Sequence, residues 1–277
     1  MEEAIIELAL AEDTGRGDVT SEVLILDDLQ GEAYIEAKEE GVLCGVKVAG
    51  DVFRRVDNSL DVVFLHQDGD LIHQGDRVLI VKGRMRSILK AERTALNFLA
   101  HLSGVATLTA RYVRAISGLG VVIAATRKTT PGLRALEKYA VTVGGGYSYR
   151  LDLGSSILIK DNHIAVLRGQ GLDLNSIVSR AIRESPEGAN IAVEVVNLDE
   201  AREAVEAGAK AILLDNMGLE DMSRVVQELK GKVVIEASGG ITLENVRQVA
   251  LLGVDLISVG ALTHSARSID MSLEVIA

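Results

Sequence analysis

The sequence contains little cysteine, few aromatic residues and no excess of positive charge. One cysteine, Cys44, among 277 residues rules out an intrachain disulfide and cannot hold a zinc ion by itself, so packing must maintain the fold. Five Tyr, three Phe and no Trp offer few surfaces for stacking bases, and 40 acidic against 29 basic residues give a net charge of −11. We therefore expect no nucleic-acid partner.

Long hydrophobic runs are also missing. No apolar stretch approaches the roughly 20 residues that cross a bilayer, and the segment MEEAIIELALAED is acidic where a secretory signal is basic. We expect a soluble, cytoplasmic protein with no membrane partner. Hydrophobic residues make up 48% of the chain, which is ample for a sizeable core in one or two domains. The 27 glycines against two prolines indicate many tight turns and favour an α/β fold.

The hydrophobic pattern changes along the chain. The first third predicts an opening helix near Met1–Ala11, alternating strands and then a long helix near Leu89–Val105. Its predicted strands are Gly31–Lys38, Val42–Val48, Leu60–Leu65 and Arg77–Lys82. Beyond Gly120, six short apolar strands alternate with turns and amphipathic helices, which predicts parallel β/α units that close as a barrel. These strands are Val121–Ala125, Ser156–Ile159, Ile191–Val195, Ala211–Leu214, Val233–Glu236 and Leu256–Val259.

Charged or glycine-rich segments follow these six strands. The carboxyl ends of parallel strands meet at one edge, where β/α barrels place their chemistry. Charges that emerge directly from apolar strands are costly unless they meet partners or a ligand, so a binding site is favoured over ion pairs that merely solvate the strand ends. The residues concerned are Arg127, Lys128, Lys160, Glu194, Asp215, Ser238, Gly239, Gly240, Gly260 and His264.

The candidate residues fall into two groups of opposite sign. Arg127, Lys128, Arg150 and Lys160, with Arg93 from the long helix, form a cationic set suited to carboxylates or phosphates. Glu194 and Asp215 are oxygen acceptors that suit sugar hydroxyls or a hard divalent cation shared with a polyphosphate. The small residues after the last two strands expose backbone N–H groups, where barrels commonly bind a phosphate.

Two further features allow more than one interpretation. Gly144, Gly145 and Gly146 suit a flexible turn as well as a close approach of the backbone to a ligand. His163 is a candidate base, but a histidine just after Asp161 is equally suited to hydrogen-bonding its own turn. Both alternatives stay open from the residues alone.

Seven segments, taken together and in order, resemble the quinolinate phosphoribosyltransferases (nicotinate-nucleotide pyrophosphorylases) of NAD biosynthesis. They are GRGDVT, AERTALNFLAHLSGVAT, TRKTTPGLRALEKYAVTVGGG, LIKDNH, LLDN, EASGGIT and ISVGALTHS. The resemblance spans nearly the whole chain and implies an N-terminal α/β sandwich domain followed by an incomplete parallel β/α barrel. We expect these domains at residues 1–105 and 106–265, with a tail at 266–277 that packs back on the first domain.

The resemblance also implies a reaction and its residues. Quinolinate and phosphoribosyl pyrophosphate, with Mg²⁺, would give nicotinate mononucleotide, pyrophosphate and CO₂. The implied catalytic residues are Lys128, Glu194 and Asp215. Arg127, Lys128, Arg150 and Lys160 match positions that bind the dicarboxylate, and Arg93 matches an arginine supplied to the neighbouring subunit of a homodimer with shared sites. Glu194 and Asp215 match acids that face the ribose and magnesium, while Ser238, Gly239, Gly240, Gly260 and His264 match the 5′-phosphate site.

The chain departs from this family's pattern at Tyr149, where a histidine is usual, although a phenol still donates a hydrogen bond to a carboxylate. Ala192 and Val196 also stand beside Glu194 where acids are often found. These departures keep two alternatives open: a related phosphoribosyltransferase acting on another aromatic acid such as nicotinate, and a non-catalytic sensor of phosphoribosyl metabolites.

Overall fold

The computed structural model describes residues 2–186 and 188–276. These form two compact units. The sandwich unit comprises the residues up to Ala110, Thr129–Gly145, and the residues from Leu262 onward. The barrel unit comprises Arg111–Lys128 and Gly146–Ala261.

Helices and strands account for most of the described chain. The helices are α1 (Glu2–Thr14), α2 (Val19–Leu24), α3 (Val46–Val56), α4 (Met85–Ala115), α5 (Arg134–Val143), α6 (Asp161–Arg168), α7 (Leu174–Glu184), α8 (Leu198–Glu206), α9 (Leu219–Leu229), α10 (Val246–Leu251) and α11 (Ala261–His264). The strands are β1 (Gln30–Ala37), β2 (Gly41–Val42), β3 (Asp61–Phe64), β4 (Leu71–Ile72), β5 (Arg77–Arg84), β6 (Val122–Ala125), β7 (Ile157–Ile159), β8 (Ile191–Val195), β9 (Ala211–Asp215), β10 (Val234–Ser238), β11 (Leu256–Val259) and β12 (Met271–Ile276).

A four-stranded antiparallel sheet, in the order β12–β1–β5–β3, forms the base of the sandwich unit. Side chains alternate between the faces of β1, so Ala33, Ile35 and Ala37 are fully buried on one side. The outer strand β12 comes from the other end of the chain and pairs with β1 from Ala37↔Met271 to Glu32↔Ile276.

The predicted strand Val42–Val48 is wrong, because only β2 is extended there and α3 begins at Val46. Gly45 adopts a left-handed conformation, with φ of 92°, that starts the helix. The Asp68 side chain accepts hydrogen bonds from the N–H groups of Gly45 (2.8 Å) and Val46 (3.0 Å). The valine-rich sequence thus carries a β propensity that a distant capping carboxylate overrides.

The barrel unit contains a six-stranded parallel sheet in the order β6–β11–β10–β9–β8–β7. The end strands β6 and β7 are not paired with each other in the described residues, so the sheet curves as an open barrel. Its core consists of fully or almost fully buried side chains, including Ile123, Val193, Ile212, Ile235 and Ile257. The predicted α/β class, with a small sheet domain followed by an incomplete barrel, is confirmed. All six predicted strands are present within two residues of their expected ends.

The helices of the described residues include none with both the length and the apolar character needed to span a bilayer.

Candidate active site

Strand alternation brings the candidate side chains of the barrel unit onto one face of its sheet. In parallel strands, residues two apart point the same way, and the registers align Glu194 with Leu213 and Leu213 with Glu236. Asp215 is aligned with Ser238, and Ser238 with Ser258. The carboxyl end of the sheet therefore presents polar side chains above a layer that contains Glu194 and the buried Glu236.

These residues line a cavity of about 440 Å³ in the barrel unit. Eight residues singled out from the sequence contribute to its wall: Arg127, Lys128, Tyr149, Arg150, Lys160, Glu194, Asp215 and Ser238. Three of the four cations come from the connection between β6 and β7 and the fourth, Lys160, follows β7, whereas the acids come from two adjacent strands. The structure thus brings together groups that are separated by up to about a hundred residues in sequence.

The other predicted residues are not among the described residues that line this cavity. Gly239 and Gly240 follow β10, and Gly260 follows β11. Arg93 and His264 belong to the sandwich unit. Arg93 lies on α4 with 64% of its side chain exposed, and its guanidinium is 3.8 Å from the Glu92 carboxylate. The Nδ1 atom of His264 is 2.6 Å from the Ser265 hydroxyl.

Lys160 and Glu194 form an ion pair at the edge of the cavity. The Lys160 Nζ atom is 3.5 Å from Glu194 Oε1, and the backbone N–H of Asp161 donates to Glu194 Oε2 at 3.3 Å. The Glu194 side chain is only 13% exposed, whereas Lys160 is 45% exposed. The backbone N–H of Lys160 donates to Nδ1 of His163 at 3.0 Å, so this histidine hydrogen-bonds the start of α6.

The turn after β10 depends on glycine. Gly239 and Gly240 have φ of 90° and 62°, in the left-handed region. A Cβ atom on Gly239 would lie 2.2 Å from Asn216 Oδ1, so a side chain there would displace the residue that follows Asp215. Asn216 itself has φ of 52°, and its N–H donates to the Ser238 carbonyl at 2.9 Å. The turns after β9 and β10 are therefore held against each other by this hydrogen bond and by the close contact of Gly239 with Asn216.

The triple glycine has one clear packing role. A Cβ atom on Gly144 would lie 2.4 Å from the carbonyl oxygen of Ala106, so α5 ends in close contact with the backbone of α4. Gly145 follows with φ of 85°. These glycines allow helix packing and a sharp exit from α5 within the sandwich unit.

The segment after this turn runs beside β6. Tyr147 forms a parallel bridge with Ala124, and the Ala125 N–H donates to the Tyr147 carbonyl at 3.0 Å. Three residues later, Arg150 has φ of 58°, which is uncommon for a residue with a side chain. Its Nε atom is buried and has no hydrogen-bond partner among the described residues. A buried guanidinium donor in a strained residue of the cavity wall is poised to meet a ligand.

Glu236 is a site residue that the sequence analysis did not select. It is 5% exposed and lines the same cavity from β10. The Tyr149 hydroxyl lies 2.6 Å from each carboxylate oxygen, and the Ser258 hydroxyl donates to Oε1. Burial raises the pKa of Glu236, against the opposing effects of Ser258, Tyr149 and Arg150. Burial, followed by the nearby Glu236 charge, also raises the pKa of Tyr149. The available signal was an acid inside an otherwise apolar strand.

Both parts of the chain match one family. Residues 18–103 match the N-terminal domain of quinolinate phosphoribosyl transferase, and residues 105–274 match the C-terminal domain of that protein. The chain belongs to the quinolinate phosphoribosyltransferase family. It is 40% identical over 264 residues to a probable carboxylating nicotinate-nucleotide pyrophosphorylase of Bacillus subtilis (strain 168), covering 95% of this chain and 90% of the relative.

Two further members of the quinolinate phosphoribosyltransferase family extend this similarity. A chloroplastic carboxylating nicotinate-nucleotide pyrophosphorylase of Arabidopsis thaliana is 40% identical over 288 residues, covering 98% of this chain and 82% of the relative. The crystal structure of NadC from Streptococcus pyogenes superposes with a TM-score of 0.92 at 40% identity, covering 99% of this chain and 97% of that one.

Glu194 and Asp215 stand on adjacent strands and offer carboxylate oxygens of the kind that Mg²⁺ binds. No group of three or more His, Cys, Asp or Glu side chains in the described part of the chain forms a metal cage. Mg²⁺ commonly binds one or two carboxylates and completes its shell with water and substrate phosphates. Two carboxylates on adjacent strands, in a cavity of about 440 Å³, fit that mode of binding.

Proposed function

We propose that this chain transfers the phosphoribosyl group of phosphoribosyl pyrophosphate to quinolinate with decarboxylation. The products are nicotinate mononucleotide, pyrophosphate and CO₂, in the biosynthesis of NAD. One observation carries the proposal: four cationic and two acidic candidate residues line one cavity at the carboxyl end of the barrel sheet, in a chain that belongs to this family throughout.

The cationic side of the cavity recognises the dicarboxylate. Arg127 and Arg150 offer planar donors for carboxylates, and Lys128 and Lys160 offer compact charges on the same wall. Tyr149 contributes to binding from the same segment as Arg150. Holding two reactants in line is worth up to about 7–11 kcal/mol of the barrier, so these groups act mainly by positioning.

The acidic side stabilises the sugar. As pyrophosphate leaves the ribose, positive charge develops at the anomeric carbon, and Glu194 and Asp215 stabilise it through the ribose hydroxyls. The same two carboxylates would hold Mg²⁺, which would supply positive charge to stabilise the leaving pyrophosphate. The pyridine nitrogen attacks the anomeric carbon as its bond to pyrophosphate breaks. The resulting ring cation stabilises the electron pair that stays on the adjacent carbon when CO₂ departs, and a proton from solvent then binds to that carbon. No protein nucleophile is needed.

The 5′-phosphate binds where β10 and β11 end. Ser238, Gly239, Gly240 and Gly260 supply backbone N–H groups and a hydroxyl. The left-handed turn at Gly239 and Gly240 supports this assignment, because a side chain at Gly239 would collide with Asn216.

A homodimer with shared sites is the second part of the proposal. An apolar strip on the sandwich unit supports it, since Val19, Val23, Leu24 and Leu26 are each at least 66% exposed. The exposed guanidinium of Arg93 would then serve the site of the neighbouring subunit.

Mixing two inactive variants tests the shared site. Arg93→Ala and Lys160→Ala chains, unfolded and refolded together, should recover about a quarter of wild-type activity, because half of the dimers then hold one intact site. No recovery in a mixture that sediments as a dimer would contradict shared sites.

A cytoplasmic location completes the proposal. The single thiol, Cys44, is fully buried, and burial raises its pKa, so the chain has no exposed reactive cysteine among its described residues. This fits a reducing compartment. Fractionation of the source cells with an antibody against the chain tests it.

One assay tests the reaction itself. Purified protein is incubated with Mg²⁺, phosphoribosyl pyrophosphate and either quinolinate or nicotinate labelled in the carboxyl carbon. Labelled CO₂ and nicotinate mononucleotide from quinolinate alone support the proposal. Nucleotide from nicotinate without CO₂ would assign the other aromatic acid, and no turnover of either compound would favour a sensor.

A further inference from the structure

Glu236 occupies an unusual electrostatic position in the cavity. Its carboxylate is almost completely buried, yet the side-chain groups that donate hydrogen bonds to it are two neutral hydroxyls, those of Tyr149 and Ser258. No cation of the described residues forms an ion pair with it, although Arg150 lines the same cavity. A buried carboxylate held only by neutral donors usually has a specific purpose, because its desolvation is costly.

The number of protons on Tyr149 decides what this residue can do. A phenol carries one hydroxyl proton, and here the oxygen lies 2.6 Å from both carboxylate oxygens of Glu236. That proton is committed to Glu236. Tyr149 consequently has no second proton to donate to a substrate carboxylate while this bond is in place.

The hydrogen bonds connect three separate parts of the sheet. Tyr149 comes from the segment that bridges β6 at Tyr147, Ser258 lies on β11, and Glu236 lies on β10. Because β11 lies between β6 and β10, the cluster fastens the segment at the open side of the barrel to the inner face of the sheet. The next residue after Tyr149 is Arg150, whose left-handed backbone needs such support.

We propose that Glu236 is a positioning residue for the dicarboxylate, acting through Tyr149 and Ser258 to hold Arg150 in the cavity wall, in place of a direct hydrogen bond from Tyr149 to the substrate. The inference rests on the proposed function, which supplies the dicarboxylate. When Tyr149 satisfies the Glu236 carboxylate, the Arg150 guanidinium is left for the substrate. When Tyr149 is removed, Glu236 competes with the substrate for Arg150.

A double-mutant cycle separates this arrangement from direct binding. Quinolinate affinity is measured by calorimetry for the wild type, Tyr149→Phe, Glu236→Gln and the double variant, and KM is measured for both substrates. We expect Tyr149→Phe to weaken quinolinate binding about tenfold or more, with the KM of phosphoribosyl pyrophosphate within about threefold. Adding Glu236→Gln to Tyr149→Phe should recover most of that loss, because the competing charge is gone.

Two results would overturn the inference. Equal loss in Tyr149→Phe and in the double variant would mean that the Tyr149 hydroxyl contacts the substrate itself. Tighter quinolinate binding in Glu236→Gln alone would mean that Glu236 acts only as a repelling charge, since pure electrostatics predicts that sign. The positioning role predicts weaker binding in this single variant.

Matched variants control for folding and for the wider function. Tyr139→Phe removes a phenol that donates to Asp68 Oδ2 at 2.9 Å in the sandwich unit, and it should leave quinolinate affinity unchanged. If Glu236→Gln does not fold by circular dichroism, Ser258→Ala is measured in its place. It should weaken quinolinate binding as Tyr149→Phe does, because Glu236 again loses a neutral donor and competes for Arg150, and unchanged binding would contradict the inference. A wild type that neither binds quinolinate nor releases CO₂ overturns the proposed function as well. If the wild type is active but the effects of Tyr149→Phe and Glu236→Gln on quinolinate binding simply add in the double variant, only the inference is overturned.

Discussion

Asp57 in the sandwich unit and Glu236 in the barrel unit are both buried carboxylates, and they are satisfied in different ways. In the sandwich unit, Asp57 is 7% exposed. Its carboxylate accepts hydrogen bonds from Nε of Arg84 at 2.8 Å and from the hydroxyls of Ser59 and Ser87. In the barrel unit, Glu236 is equally buried but receives hydroxyl donors only. Arg84 forms an ion pair with Asp57. Glu236 forms no ion pair with a cation of the described residues, and Arg150 lines the cavity instead.

The two environments shift acidity in opposite directions. The hydrogen bonds from Ser59, Ser87 and Arg84 hold the pKa of Asp57 well below its usual range, while burial raises that of Glu236. A carboxylate that is fully compensated by its own cation strengthens the fold. A carboxylate compensated by neutral donors leaves the neighbouring cation available to a ligand, and costs stability.

The largest effect should come from the cations of the cavity. Lys160→Ala should lower kcat/KM by at least about 100-fold, and Lys128→Ala similarly, because positioning and charge stabilisation are lost together. Thermal unfolding should change little, since the Lys160 side chain is 45% exposed and an ion pair of an exposed lysine contributes at most about 1 kcal/mol. CO₂ release and unfolding curves measure the two quantities.

The matched control is Arg84→Ala in the sandwich unit. It should lower the unfolding temperature and leave kcat/KM per folded molecule unchanged. Near-wild-type turnover in both lysine variants would contradict the role of the cavity cations in catalysis. Lost turnover in Arg84→Ala would contradict a purely stabilising role for the pair of Arg84 with Asp57.

The next effect concerns Asp57. Asp57→Asn should lower the free energy of unfolding by about 1–3 kcal/mol at neutral pH, because buried donors lose a charged acceptor. The pKa of Asp57 is lower in the folded state than in the unfolded state. Asp57 therefore stabilises the fold at pH values above its unfolded pKa, and this stabilisation is lost as the pH falls from the unfolded pKa towards the folded one. The difference between wild type and variant in urea unfolding should therefore shrink below about pH 4.

The smallest effect should have the opposite sign. Glu236 binds its proton more readily in the folded state, so the wild type should lose stability relative to Glu236→Gln as the pH rises from about 4 towards neutrality. Arg150 and Glu194 act on Glu236 in opposite senses and are shared by both proteins. Unfolding curves of the pair at several pH values measure the trend, and a difference that is independent of pH would contradict it.

The barrel strands were predictable because each is a short apolar run that ends in polar residues. For Ile191–Val195 and Leu256–Val259, the predicted and observed bounds coincide. The helix at Val46–Val56 was not predictable, because its start depends on the Gly45 conformation and on Asp68 in a later loop.

The site residues that stand at the carboxyl ends of the parallel strands were predictable from the sequence, because β/α barrels place their chemistry there. Lys160, Glu194 and Asp215 stand directly at those ends and were selected for that reason. Glu236 was not selected although the predicted strand Val233–Glu236 ends at it, because nothing in the sequence links it to Tyr149, which is 87 residues away. Only three-dimensional packing reveals that the phenol reaches this carboxylate and so restricts what Tyr149 can donate.

The pairing of β12 with β1 has a consequence for how the protein is made. During translation, β1 leaves the ribosome early, but the strand that covers its outer edge is synthesised last among the described elements. Until then the nascent chain exposes an unprotected strand edge, which invites wrong pairing or capture by chaperones. Ribosome-stalled chains that end before Met271 should therefore remain sensitive to proteolysis in the sandwich unit, and release of the longer chain should protect it.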